Sequence, residues 1–302
     1  MTPVTLIVTL HGHDPVYVSA LAALYASIRT HTQAALDLWI LHDKSVPADR
    51  LSALTTFIRE RDTVHCVDVD EHPAIARVGI EFGCPPYSPA VIWRLYAAEL
   101  CGADRAILLD ADLLFLSDIA SIWNVDVEGA PLAASLRGKP WPAEYHSMIR
   151  TPPQRYFRMG VSLLNLAYLR ADAEFTTYRE EFLRTRLPAI NALVPLQEQS
   201  VFNYFFSHAA VPLNVNLCPV AHFDTEDPSA RDSMLERMSR YTNLILDVKG
   251  WQDRSPFDAF YWCYLMMTPW KQEAYAHLDR QRRRARATEA EQTSALPQSP
   301  PG

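Results

Sequence analysis

Glycine is scarce in this chain: nine residues in 302, with no G-x-G cluster. That argues against a glycine-rich phosphate loop, and so against nucleotidyltransferases that carry one near the N-terminus. Cysteine is sparse too. Cys66, Cys84, Cys101, Cys218 and Cys263 are odd in number, scattered and without C-x-x-C spacing. They fit free thiols in a reducing compartment, not a disulfide or zinc framework. No apolar run approaches the roughly 18–20 residues that a spanning helix needs. The opening MTPVTLIVTLHG has no basic region ahead of its apolar run and reads as a strand, not a secretory signal. Lys and Arg total 28 against 35 Asp and Glu, a net charge of −7. No basic excess exists to neutralise phosphates, so nucleic acid is not an expected partner. The ten histidines show no metal-ligand spacing. A cytoplasmic protein is expected.

What is present is the composition of a soluble globular chain, 49% hydrophobic and 21% charged, long enough for a real core. Val4 to Leu10 reads as a first buried strand, and Pro15 opens a helix to about Thr30. Leu36 to Leu41 is a second strand, Pro47 to Arg61 a second helix and Val64 to Asp68 a third strand. The alternation predicts an α/β fold, a mostly parallel sheet flanked by helices. A helix is expected over Ala90 to Leu100. Arg137 to Arg158 is polar and proline-rich and reads as a long loop. Val161 to Leu166 returns to strand character, followed by helices over Ala171–Leu187 and Glu198–Ser207. Asn243 to Asp247 is a late strand, and Pro256 to Met267 an aromatic helix. One domain is expected over 1–275. Residues 276–302, a basic run followed by low-complexity polar residues, are expected to form a disordered tail.

The most informative stretch is Arg105 to Asp118, RAILLDADLLFLSD. An apolar strand runs into Asp110 and Asp112, and a second apolar run follows at once. Acids inside such a segment are costly to bury unless something pairs them. If the backbone stays extended, residues i and i+2 point the same way. At the C-terminal end of a parallel strand they would lie where open α/β sheets bind ligands. Hard oxygen ligands there suit Mg²⁺ or Mn²⁺ on a diphosphate.

Five blocks then occur in one order: IWRLYAAEL, RAILLDADLLFLSDIASIW, FRMGVSLLNLAYLR, LQEQSVFNYFF and ILDVKGW, with YWCYLMMTPW closing the folded part. With these blocks, from residue 4 to about 270, the chain resembles the family 8 retaining glycosyltransferases of the GT-A fold. That group includes bacterial lipopolysaccharide galactosyl- and glucosyltransferases and glycogenin. The resemblance implies transfer of a hexose from a UDP-sugar to a hydroxyl of a cell-surface glycan or lipid-linked acceptor, assisted by Mn²⁺ or Mg²⁺. It implies metal ligation by Asp110 and Asp112, with Ala111 between them against the donor, and Arg94 near the donor sugar and phosphates. It places the uridine on the backbone of Thr9, Leu10, His11 and Gly12. Asp14 is either a uracil contact or the N-cap of the following helix. Glu198 and Gln199 stand where family members carry Asp-Gln beside the anomeric carbon.

Three positions depart from the family pattern. Asp247 stands where the third metal ligand is a histidine in H-x-x-G-x-x-K-P-W. Gly250 keeps its place in that motif, and the diphosphate lysine has two candidate replacements, Lys249 and Arg254. Arg158 and Met159 replace an Asn-Ala pair normally near the donor sugar, and Arg137 replaces a common acid. The two arginines would rearrange the sugar pocket or favour an acidic substrate. A nucleotide-sugar binding homologue with weakened catalysis is the alternative reading. The segment HLDRQRRRARA is either a solvated tail or a peripheral contact with anionic lipid on the inner face of a membrane.

Overall fold

A computed structural model describes residues 2–12, 15–83, 87–136, 141–214, 216–219, 244–247, 249, 251 and 258–294. Its centre is a seven-stranded sheet of β1 (Val4–Thr9), β2 (Leu36–His42), β3 (Thr63–Asp68), β4 (Arg105–Leu109), β6 (Leu132–Leu136), β7 (Phe157–Asn165) and β8 (Val211–Pro212). The strand order is β3-β2-β1-β4-β7-β6-β8. All pairs are parallel except those of β7, which runs against both β4 and β6. The expected α/β architecture with a mostly parallel sheet is therefore present.

β1 is buried along its whole length, as a strand covered on both faces must be. Alternation divides its side chains between two cores. Val4, Leu6 and Val8 pack with the helix Val16–His31, whereas Ile7 joins Leu108, Trp93, Phe157 and Phe202 on the other face.

After β4 the chain leaves the main sheet. Asp110 N–H makes a last bond to the Gly160 carbonyl (2.9 Å), and a turn at Ala111 and Asp112 leads into β5 (Leu113–Phe115). β5 belongs to a second sheet, ordered β5-β10-β9, with β9 at Asn216–Pro219 and β10 at Leu244–Asp247. The antiparallel register pairs Leu113 with Asp247. An acid 135 positions downstream of Asp112 is thereby set beside it.

Several sequence expectations need correction. The backbone between Asp110 and Asp112 is turned, not extended, because the chain is changing sheets there. The helix expected over Ala90–Leu100 is two short helices, Ala90–Trp93 and Ala97–Leu100, joined by a 3₁₀ turn over Arg94–Tyr96. Trp93, Arg94, Leu95 and Tyr96 are all buried, so packing on every side overrides one-face periodicity. The described part of the expected 137–158 loop contains a helix, Ala143–Met148, and the first residues of β7. A helix, Lys271–Ser294, carries the basic run that composition assigned to a disordered tail, and the boundary at 275 falls inside it. Arginine, alanine and glutamate favour helix, and Arg283 pairs with Asp279 one turn away.

Among the described residues Cys66, Cys101 and Cys263 are free thiols. No helix there is long and apolar enough to cross a membrane.

Candidate functional site

The C-terminal ends of β1 and β4, the start of β7 and the helix Gln197–Phe206 converge on one cluster of charge. Arg94 is at its centre, with its side chain only 9% exposed. Its Nε donates to Thr9 Oγ1 (3.2 Å) and one Nη to Glu198 Oε1 (3.2 Å), while the same Nη pairs with Asp110 Oδ1 at 2.6 Å. Burial opposes the guanidinium charge, but Asp110 and Glu198 overcome it and hold the pKa above the ordinary arginine range. Burial pushes the Glu198 carboxyl up to about 7, with Arg94 pulling it down and Asp110 adding to the rise.

Asp112 is half-buried beside this cluster. Burial raises its pKa first, then the charges of Asp110 and Asp247, with Lys249 opposing them. Asp247 in turn faces Arg158, Oδ2 to Nη2 at 3.6 Å. Among the described residues no three His, Cys, Asp or Glu side chains form a ready-made metal cage. The donor set nonetheless fits a hard divalent cation. Asp110, Asp112 and Asp247 offer only carboxylate oxygens, and Asp112 is an acid whose negative charge its surroundings penalise.

The loop after β1 is fixed by its neighbours. Leu10 is buried and its N–H is taken by the Leu41 carbonyl (2.8 Å). Gly12 N–H donates to Ser45 Oγ (2.8 Å), and His11 Nε2 lies 3.4 Å from Asp43 Oδ2. A Cβ at Gly12 would stand 1.8 Å from the Ser45 carbonyl oxygen, so only glycine fits this approach. Asp14, Arg137, Gly250 and Arg254 lie outside the described residues.

Gln199 is committed at both ends. Its Oε1 accepts from Met159 N–H (3.0 Å) and its Nε2 donates to the Tyr156 hydroxyl. One turn on, Asn203 brackets Phe157, accepting from its N–H (3.1 Å) and donating to its carbonyl (2.9 Å).

Arg94, Asp110 and Glu198 are thus in contact, Asp112 and Asp247 lie next to them, and Gln199 braces the neighbouring strand. Sequence reasoning missed Tyr87, whose hydroxyl is raised by burial, then by Glu198 and Asp110, and lowered by Arg158. It also missed Tyr156 and Asn203. The helical spacing of Gln199 and Asn203 was a usable signal, since polar residues at i and i+4 share a face.

Comparisons with known proteins agree with this architecture. The structure is similar to the galactosyltransferase LgtC, solved with donor and acceptor sugar analogues: TM-score 0.68, 18% identity, covering 88% of this chain and 96% of that one. It is similar to the bifunctional glycosyltransferase WbbM, with TM-score 0.68 and 16% identity, over 91% of this chain but only 51% of WbbM. The mouse xyloside xylosyltransferase 1 follows at TM-score 0.57 and 15% identity, over 82% of this chain and 98% of that one. At such identities these likenesses speak for the fold alone. No curated protein sequence matches the chain. The profile described as glycosyl transferase family 8 matches residues 8–238, well over half of the sequence, and the chain belongs to that family.

Proposed function

We propose that this glycosyltransferase moves a hexose from a UDP-sugar to a hydroxyl of a cell-surface glycan or lipid-linked acceptor, with retention at the anomeric carbon. One observation carries the reading: buried Arg94 joins the acid at the end of β4 to Glu198 on the facing helix. On this reading a fixed cation would stand between the donor's diphosphate and its sugar. Asp110, Asp112 and Asp247 would hold Mn²⁺ or Mg²⁺. Bound there, the ion would offset the charge that builds on the departing diphosphate.

The remaining work falls to the chain itself. The backbone of Thr9 to Gly12 would receive the uridine, and Arg94 would hold the donor phosphates and sugar while keeping Asp110 and Glu198 in place. Gln199 is a poor nucleophile, since its carbonyl oxygen and amide are both engaged. Glu198 is bound to Arg94 and buried, which leaves a double displacement without a free carboxylate. We therefore favour substitution on one face. The bond between the anomeric carbon and the phosphate oxygen breaks, and the acceptor oxygen bonds to that carbon from the same side. The acceptor proton passes to the phosphate oxygen.

The test is UDP release from a panel of UDP-sugars, with Mn²⁺ and with EDTA. Turnover of one donor, lost in EDTA, is the expected result. Tight UDP binding without turnover, when acceptor glycans are supplied, would favour the binding-only homologue instead.

Peripheral membrane contact is a separate part of the proposal. Tyr275 and Leu278 are 50% and 40% exposed, and with Lys271 and Arg282 they recur along one face of the Lys271–Ser294 helix. The expected result is cosedimentation with vesicles containing anionic lipid at low salt, and release at high salt. Retention on neutral vesicles alone would count against it.

A further inference from the structure

Arg158 is held only loosely by its ion pair. It lies at the start of β7, opposite Ser135, where the backbone is clamped on both sides. The N–H and carbonyl of Phe157 are bonded to Asn203, and the N–H of Met159 to Gln199. Its side chain is 23% exposed and its ion-pair partner, Asp247, is 3.6 Å away, beyond hydrogen-bond distance. A guanidinium carries five N–H donors in a fixed fork. Arg94, by contrast, is held by Thr9, Asp110 and Glu198 at 2.6 to 3.2 Å. Its partner Asp247 stands in register with Leu113, the residue after Asp112, so the Arg158 charge borders the acids of the site.

If the proposed function holds, Asp247 turns toward a divalent cation with Asp112 when donor binds. Arg158 then loses its counter-charge while still partly buried, which is unfavourable unless another anion replaces it. A neutral hexose has only hydroxyls to offer. A carboxylate matches the guanidinium fork with two parallel hydrogen bonds.

We propose that Arg158 selects a donor whose sugar carries a carboxylate, so that the hexose unit of the proposed function is one carboxylated at C6, a hexuronic acid. The donor's own diphosphate is the other oxyanion within the same chemistry, and binding measurements separate the two. Calorimetric titrations would compare UDP, UDP-glucose, UDP-galactose, UDP-glucuronate and UDP-galacturonate in Mn²⁺, on the full chain and on Arg158→Asn and Arg158→Lys.

The native chain should bind one UDP-uronate roughly 10-fold or more tighter than the matching UDP-hexose. Arg158→Asn should erase that preference while leaving UDP affinity within about 3-fold, and Arg158→Lys should keep part of it. Unchanged UDP affinity in Arg158→Asn also shows that the variant is folded. Equal loss for UDP and every donor would assign Arg158 to the diphosphate and overturn the inference. So would UDP binding by the native chain with no uronate preference. Failure of the native chain to bind UDP at all would overturn the proposed function, and this inference with it.

Discussion

Replacing Arg94 with Met should lower stability by about 3–5 kcal/mol, because it strands two carboxylates that the guanidinium now neutralises. Glu198 is nearly fully buried and Asp110 about two-thirds so. Neither has another cation at ion-pair distance among the described residues. A substitution this damaging says little about catalysis, so Arg94→Lys is the informative companion. Lysine restores the charge but not the planar fork that reaches Thr9, Glu198 and Asp110 together. Arg94→Lys is expected to melt within a few degrees of the native protein, yet to lose roughly 100-fold or more in transfer, as when a preorganised donor is removed. The Arg94→Met, Glu198→Gln double variant should recover part of the lost stability, since it removes one stranded acid. Thermal melts with UDP-release assays would check all three. A fully active Arg94→Lys would reduce the arginine to a structural ion pair.

The parts of this fold that could be read from the sequence share a physical cause. β1 and β4 lie at the centre of the sheet, covered on both faces, and such strands write themselves as unbroken apolar runs, while β2 and β3 toward the edge keep a partly alternating pattern between helical segments. β6 was invisible because Leu132–Leu136 is LAASL, small residues without β preference that are strand only by virtue of their neighbours. The start of β7 was hidden by the polar, proline-rich segment before it and by Arg158, although Phe157 and Met159 on either side are buried in the core. The individual acids of the site could be picked out, since Asp110 and Asp112 interrupt an apolar segment. Their relation to Asp247 could not. It depends on the register between β5 and β10, a long-range pairing with no local signature. Tyr87 was likewise out of reach, as nothing in its own neighbourhood in sequence points toward Glu198 or Arg158.

That register separates the roles of two neighbouring acids. Burial raises the pKa of Asp112, and Asp110 and Asp247 each add to the rise. In metal-free buffer at pH 8, Asp112→Asn removes a charge its surroundings penalise, so the variant should melt no lower than the native protein and can melt higher. With Mn²⁺ and UDP added the order should reverse. The native chain gains about 2.7 kcal/mol at ligand 100-fold above its dissociation constant, whereas Asp112→Asn gains little and loses roughly 1,000-fold in transfer. Asp247→Asn should behave oppositely in the metal-free state. Its removal leaves Arg158 without its partner, and the melting point should fall slightly, as the loss of a partly exposed pair of about 0.2–1 kcal/mol implies. With Mn²⁺ and UDP it too should gain less than the native chain. Calorimetric melts of the three proteins, with and without the ion and nucleotide, make the comparison. An equal Mn²⁺-dependent shift in all three would remove both acids from the metal site. A shift lost in Asp112→Asn but kept in Asp247→Asn would leave Asp247 as a counter-ion for Arg158 alone.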